Sequence, residues 1–232
     1  MQRVLVTGAN RGLGLGFTRQ LLARGARVIA ACRHPGRALK LTELAAAHPG
    51  RLSVLPLDLN KERSISGLAS ETGMLTDALD VLINNAGVLV SGERYGELAA
   101  HTFADTFATN VIGPLLLTQA LTPLLAHGAA SRVINLSSDL GSLADTKSLH
   151  SPSYAVSKAA LNMVTRLTAA ELGARGIIVV SMNPGWVKTD MGGAHAPLEV
   201  QAAVAAMLGV IDALRLDDAG RFLDYTGADV AW

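Results

Sequence analysis

Tyr154 and Lys158 stand four residues apart in Tyr154-Ala155-Val156-Ser157-Lys158, a spacing that puts both side chains on one face of a helix. A phenol of ordinary pKa, about 10, exchanges protons poorly at neutral pH, and a neighbouring ammonium favours its phenolate form. The chemistry that suits such a pair is proton delivery to an oxygen gaining negative charge, or removal of that proton in the reverse direction. Tyr and Lys at this spacing also occur on helices with no chemical role, so the pair needs partners. Ile134-Asn135-Leu136-Ser137-Ser138 supplies one, because an apolar strand that ends in hydroxyls can present a donor to the same developing charge.

A second constellation lies near the N-terminus, in Thr7-Gly8-Ala9-Asn10-Arg11-Gly12-Leu13-Gly14-Leu15-Gly16. Glycines at 8, 12 and 14 permit a tight turn, let backbone amides approach a pyrophosphate, and allow the following helix to pack close to a sheet. The helix N-terminus adds favourable partial charge, so an anion belongs here. The spacing differs from Gly-x-Gly-x-x-Gly and lacks the Gly-Lys-Ser/Thr of phosphate-binding ATPase loops.

Both constellations need a scaffold. Short apolar runs at residues 3–6, 27–32, 52–57, 81–83, 132–136 and 177–182 read as strands, and their near-continuous hydrophobicity predicts a sheet covered on both faces. Helical patterns at 13–24, 37–48, 61–76, 102–125, 154–173 and 197–214 alternate with them. Repeated βα units imply an α/β fold, a Rossmann-type doubly wound parallel sheet with helices on both faces, and a crevice beyond the strand carboxyl ends. Irregular loops are expected at 92–96 and 141–152.

With 232 residues, 50% hydrophobic and 17% charged, the chain is expected to form one domain around one core. A formal charge of +1, with no long basic run, argues against nucleic acid or an anionic membrane surface as partner. No apolar stretch reaches the roughly 18 residues of a membrane span, and the N-terminal apolar run is too short for a secretion signal. Cys32 is the sole cysteine, which precludes an intrachain disulfide and makes a reducing cytoplasm the simplest setting. We read its thiol as a small buried apolar group. The six histidines form no metal-ligating pattern, so no metal is expected.

From residue 7 to residue 189 the order of motifs resembles the short-chain dehydrogenase/reductase family: Thr-Gly-x-x-x-Gly-x-Gly, then Asn84-Asn85-Ala86-Gly87, Ser137-Ser138, Tyr154-x-x-x-Lys158 and Pro184-Gly185. The resemblance implies hydride transfer between a nicotinamide cofactor and a carbonyl or alcohol, with Tyr154 as general acid/base, Lys158 beside it, and Ser138 rather than Ser137 as the catalytic serine. Asn110, in Phe107-Ala108-Thr109-Asn110-Val111-Ile112-Gly113, would complete the set by distorting its helix and helping to hold a water in a relay to Lys158. Implied cofactor contacts are Gly8, Asn10, Arg11, Gly12, Leu13 and Gly14, together with Tyr154 and Lys158 themselves. Asp58 would meet the adenine, or simply cap the next helix. Asn84, Ala86 and Gly87 would support the sheet and border the adenosine half, or serve only turn hydrogen bonds. Pro184, Gly185, the Val187 amide and the Thr189 hydroxyl would cover the nicotinamide end.

The strand at 27–32 ends Ala30-Ala31-Cys32-Arg33 with no acidic residue to bind ribose hydroxyls and repel a 2′-phosphate. Arg33, with Arg11 approaching from the glycine loop, can pair with that phosphate, which favours NADP(H) over NAD(H). Both arginines could also be solvated loop residues. The end of the chain, with Ala231-Trp232 and Pro184-Gly185-Trp186-Val187-Lys188-Thr189-Asp190-Met191-Gly192-Gly193, resembles a subgroup that holds sniffer-type carbonyl reductases and C-factor. It therefore leaves two readings, a carbonyl reductase or a cofactor-binding signalling protein.

Trp186, Met191, Leu140, His150 and Tyr95 fall in loops that could line an apolar substrate pocket, whose shape also depends on a long segment at 139–153. Family members commonly pair through the helices after strands four and five. A homodimer or homotetramer is expected, with Leu115, Leu116, Leu117, Leu161 and Met163 serving either that contact or the core.

Overall fold

Alternate residues of each strand feed opposite faces of one sheet in the computed structural model, which describes all 232 residues. The strands are β1 (Arg3–Thr7), β2 (Arg27–Cys32), β3 (Leu52–Pro56), β4 (Val81–Asn84), β5 (Arg132–Leu136), β6 (Ile178–Asn183) and β7 (Phe222–Asp224). Val4 and Val6 point to one side and Leu5 to the other; Ile134 and Val133, and Val180 and Val179, divide in the same way. This period of two, buried on both sides, is why the strands read as unbroken apolar runs. Each fully buried aliphatic side chain contributes about 1.5–3 kcal/mol.

The helices are α1 (Gly12–Ala23), α2 (Leu39–Ala47), α3 (Glu62–Leu75), α4 (Ala100–Phe107), α5 (Gly113–Ala126), α6 (Pro152–Leu172) and α7 (Val200–Ala213). Phe17 and Leu21 of α1 and Met207 and Ile211 of α7 cover one face; Leu68 of α3, Leu117 and Leu121 of α5 and Leu172 of α6 cover the other. All strand pairs are parallel, in the order β3-β2-β1-β4-β5-β6-β7. The direction of winding reverses between β1 and β4, so a crevice opens beyond their carboxyl ends.

Two departures from the sequence expectation bear on function. The helix expected over 102–125 is two α-helices joined by a π-helical turn, Ala108–Ile112, centred on Asn110. A widened turn of this kind re-aims a side chain that a regular helix would direct elsewhere. The second departure is β7, which was not expected: three residues paired with β6 alone, too short for periodicity to reveal. The continuous helical run Ala100–Ala126 is long and apolar enough to cross a membrane, but half of its most apolar window is buried inside the protein.

Candidate active site

Loops at the carboxyl ends of β1 to β6 converge on one cavity of about 500 Å³. Its wall runs from Arg33, His34 and Arg37 after β2 to Tyr154 and Lys158 on α6. Residues from Gly8 to Met191 thus share a single cleft, as expected for an open parallel sheet.

At the glycine loop, Gly8 and Gly12 adopt positive φ values of 63° and 52°, a left-handed backbone that side chains disfavour. A Cβ on Gly14 would lie 2.3 Å from the Gly8 carbonyl oxygen, so that glycine serves close packing of α1 on the loop, away from the cavity wall. Between Ala9 and Leu15 no backbone amide of this loop donates to a backbone carbonyl, and α1 has no side-chain cap. Those N–H groups face the need for an anionic acceptor. Asn10, Arg11, Gly12 and Leu13 all reach the cavity.

The loop is stitched to β4 through Thr7 and Asn85. Thr7 Oγ1 accepts from the Asn85 and Ala86 amides at 3.0 Å each, and Asn85 Nδ2 donates to the Thr7 carbonyl at 2.7 Å. Asn85, Ala86 and Gly87 line the cavity; Asn84 does not. The sequence placement of Asn84 on the cofactor is corrected here: its side chain is 2% exposed and donates to Asn135 at 2.8 Å and Thr118 at 3.2 Å, supporting the sheet between β4, β5 and α5.

The basic end holds Arg33 as expected, and adds Arg37, which the sequence reading missed. Its only signal was a third basic side chain shortly after β2. Asp58 lines the same region. Burial pushes its carboxyl up, but the bond from Lys61, the Asn60 amide and the charges of Lys61 and Arg33 together hold it below the usual carboxylate range. Arg11 ion-pairs with Asp190 at 3.0 Å across the cleft, so its guanidinium joins the glycine loop to the Pro184 loop and is turned from the task expected of it beside Arg33.

At the other end, α6 begins after Ser151, whose φ of 45° turns the chain sharply and whose side chain caps nothing. The cap comes from Glu93, sixty residues earlier, whose Oε2 accepts from the Ser153 hydroxyl at 2.8 Å and the Ser153 amide at 3.2 Å. Tyr154 and Lys158 follow in the first turns and point to one side. Both are buried, at 8% and 4% exposure. Lys158 Nζ donates to the Leu136 carbonyl at 2.6 Å and sits 5.3 Å from the centre of the Tyr154 ring.

Burial pushes the Lys158 ammonium down to about 8. It also pushes the Tyr154 phenol up to about 12; the Ser138 hydroxyl lowers it and the Asp139 charge raises it further. Burial is thus the largest influence on the Tyr154 phenol, and the Lys158 ammonium expected to favour its phenolate directs its Nζ at the Leu136 carbonyl.

Asn110 projects from the π-helical turn onto the loop after β4. Its Oδ1 accepts from the Val88 amide at 2.8 Å, and its Nδ2 donates to the Val88 carbonyl at 2.9 Å and Ser157 Oγ at 3.0 Å. A Cβ built on Gly87 would lie 3.3 Å from Asn110 Oδ1 and 3.8 Å from Lys158 Nζ, so Asn110 and Lys158 flank the same gap. Ser138 stands at the end of β5, half-buried, while Ser137 is buried and donates to Asn162 at 2.7 Å. Ser137 touches the cavity wall but its proton is committed to Asn162, whereas Ser138 lies outside the lining and is the serine within hydrogen-bonding reach of the Tyr154 hydroxyl.

Beyond β6, Pro184 and Thr189 line the cavity. Gly185, with φ of 74°, packs against Leu198 and Tyr225, and Val187 is buried; neither side chain position fronts the cavity. Of the apolar candidates, Met191 lines the cavity and Trp186 is exposed with its indole N–H donating to the Gly192 carbonyl at 2.7 Å. Tyr95 and His150 are exposed and Leu140 half-buried. Leu117 and Leu161 are core residues, whereas Leu115 and Met163 are exposed. Cys32 is buried beside the cavity, and burial pushes its thiol up.

The sequence profile of the short chain dehydrogenase family matches residues 2–198. C-signal of Myxococcus xanthus is 43% identical over 164 residues, 71% of this chain and 99% of that protein. Among solved structures, the NADPH-bound carbonyl reductase from chicken fatty liver superposes with a TM-score of 0.94 at 39% identity, covering 100% of this chain and 99% of that one. The carbonyl reductase Sniffer of D. melanogaster superposes with a TM-score of 0.96 at 34% identity over the full length of both chains.

Proposed function

The chain belongs to the short-chain dehydrogenase family, and from that premise we propose that it is an NADP(H)-dependent carbonyl reductase in which Tyr154 donates the proton. The observation that carries this reading is the single cleft that joins buried Tyr154 and Lys158 at one end to Arg33 and Arg37 at the other. The glycine loop fits a dinucleotide: its free amides and the start of α1 suit a pyrophosphate, and the two arginines suit a 2′-phosphate.

A bound dihydronicotinamide supplies the hydride. Pro184 and Thr189 close one side of its end of the cleft, opposite Tyr154. Tyr154 presents its hydroxyl to the carbonyl oxygen of a small substrate, with Ser138 beside it to add a second donor when its proton is released by Asp139. As that oxygen gains charge, the phenol proton passes to it, and the gap between Asn110 and Lys158 gives a route for resupply. A phenol pushed up to about 12 remains protonated at neutral pH, which suits reduction better than alcohol oxidation. Met191, on the cavity wall, gives the substrate an apolar contact.

A signalling role based on cofactor binding alone, the other reading of the resemblance, accounts less well for the interior. Burying an ammonium costs stability unless its charge is used, and binding a dinucleotide does not require the Tyr154 hydroxyl. The reductase reading is tested by initial rates with NADPH and NADH across neutral aldehydes and ketones. Reduction with NADPH preferred is expected; no turnover of any carbonyl contradicts it.

Two further outcomes follow. Arg33→Asp places a negative charge where the 2′-phosphate would sit, and is expected to raise the Kd for NADPH at least about tenfold while changing that for NADH far less, as read by cofactor fluorescence. Equal effects on the two cofactors would remove Arg33 from the phosphate site. The second concerns pH. Lys158, held down to about 8, loses its charge as pH rises through that value, while Tyr154 keeps its proton. The kcat/KM for NADPH, which reports groups of the free enzyme, is expected to fall above about pH 8 and to be flat below it. A profile flat through pH 10 would show that the Lys158 charge is not needed.

A further inference from the structure

Asp139 follows Ser138 directly, at the start of a short 3-10 turn, Asp139–Gly141. Its Oδ1 accepts from the Ser138 hydroxyl at 2.9 Å and from the Leu140 amide at 2.9 Å. The side chain is exposed and takes part in no ion pair, so its charge is fixed in place yet uncompensated by any cation of the protein. Lys158, the buried cation of the site, directs its Nζ at the Leu136 carbonyl instead. Ser138, the hydroxyl Asp139 holds, is within hydrogen-bonding reach of the Tyr154 phenol, so the Asp139 carboxylate stands one side chain from that hydroxyl and adds a small charge effect against its ionisation.

A serine hydroxyl has one proton to donate. While Asp139 holds it, Ser138 has none for a substrate oxygen. A cation close to the substrate carbonyl would neutralise Asp139 and release that proton to the carbonyl oxygen; an anion there would meet uncompensated repulsion.

Building on the carbonyl reductase reading, we propose that Asp139 determines specificity: it makes the site favour carbonyl compounds that carry a cationic group beside the carbonyl and disfavour those that carry an anionic one. Nothing in this depends on added bulk, because the selection is by charge. One charge pair across a partly solvated site is worth about tenfold in kcat/KM.

The test compares three phenyl ketones of similar shape: phenacyltrimethylammonium, its uncharged carbon counterpart neopentyl phenyl ketone, and benzoylacetate. The wild-type protein is expected to rank them cation, neutral, anion, with about tenfold in kcat/KM between the first two. Asp139→Asn keeps an acceptor for the Leu140 amide and removes the charge. It is expected to reduce the neutral ketone while the cation-to-neutral ratio falls to within about twofold of one. Asp139→Ser should give the same ratio, and NADPH binding by each variant reports that it is folded. An unchanged ratio in both variants, or a wild-type ratio near one, overturns the role of Asp139 and leaves the reductase reading intact. Turnover of neutral aldehydes with none of the three ketones reduced overturns the specificity alone, and no turnover of any carbonyl overturns the reductase reading and the specificity with it.

Discussion

Tyr154→Phe is expected to lower kcat for carbonyl reduction by about 10²–10⁴-fold, the range associated with a positioned general acid, and to leave NADPH affinity within about twofold of wild type. The substitution removes one hydroxyl and keeps the ring that packs beside Lys158. Its stability effect should be small, because the phenol is buried and desolvation already weighs on it. Stopped mixing with NADPH and an aldehyde, together with a cofactor titration, separates the two effects. Equal loss of binding and turnover would mean that Tyr154 is a cofactor contact only, and turnover near wild type would move the proton donor elsewhere.

Gly14→Ala is expected to lower stability and cofactor binding together. Its Cβ would meet the Gly8 carbonyl oxygen at 2.3 Å, Asn85 Nδ2 at 2.6 Å and the Gly8 carbonyl carbon at 2.8 Å. Two of these are backbone atoms, which cannot turn aside as a flexible side chain can, so α1 must lift from the loop that it follows. Overpacking of this kind costs about 1–3 kcal/mol, and each kcal/mol lowers Tm by about 2–4 °C in a chain of this size. The same displacement spreads the amides expected to hold a pyrophosphate, so NADPH affinity should fall with Tm. Gly73→Ala on α3, with no neighbouring atom near its added Cβ, serves as the control and should hold or raise Tm. Wild-type Tm and NADPH binding in Gly14→Ala would contradict the close packing described for this loop.

The sheet was legible because its six longer strands are apolar on both faces and separated by helical periods. The strand β7 was not, since Phe222-Leu223-Asp224 carries only two apolar residues and is defined by its pairing with β6. The π-helical turn was expected only through the family resemblance, which has Asn110 distort its helix; it goes with the bonds from Asn110 to Val88, twenty-two residues away, and no local propensity encodes those. In the site, motif order put Tyr154, Lys158 and Arg33 on the cleft and Ser138 beside Tyr154, but could not say which of two adjacent asparagines faces it. That choice rests on strand alternation at the end of β4, where Asn84 is directed inward to Asn135 and Thr118. Glu93 at the start of α6 and the ion pair of Arg11 with Asp190 arise from loops meeting in space, as does the Asp139 charge near Tyr154. The weight of burial on the Tyr154 phenol is likewise a matter of packing density, which sequence spacing does not report.

The central claim is that hydride passes from a nicotinamide to a carbonyl carbon while Tyr154 protonates the oxygen. It is tested most directly by incubating the purified protein with NADPH deuterated on the transferring face of the nicotinamide ring and a neutral aldehyde, then analysing the product by mass spectrometry. One alcohol per NADPH consumed, each with one deuterium on the carbinol carbon, and none with Tyr154→Phe on the same timescale, is the predicted result. NADPH that binds tightly but yields no deuterated alcohol with the wild-type protein would contradict it.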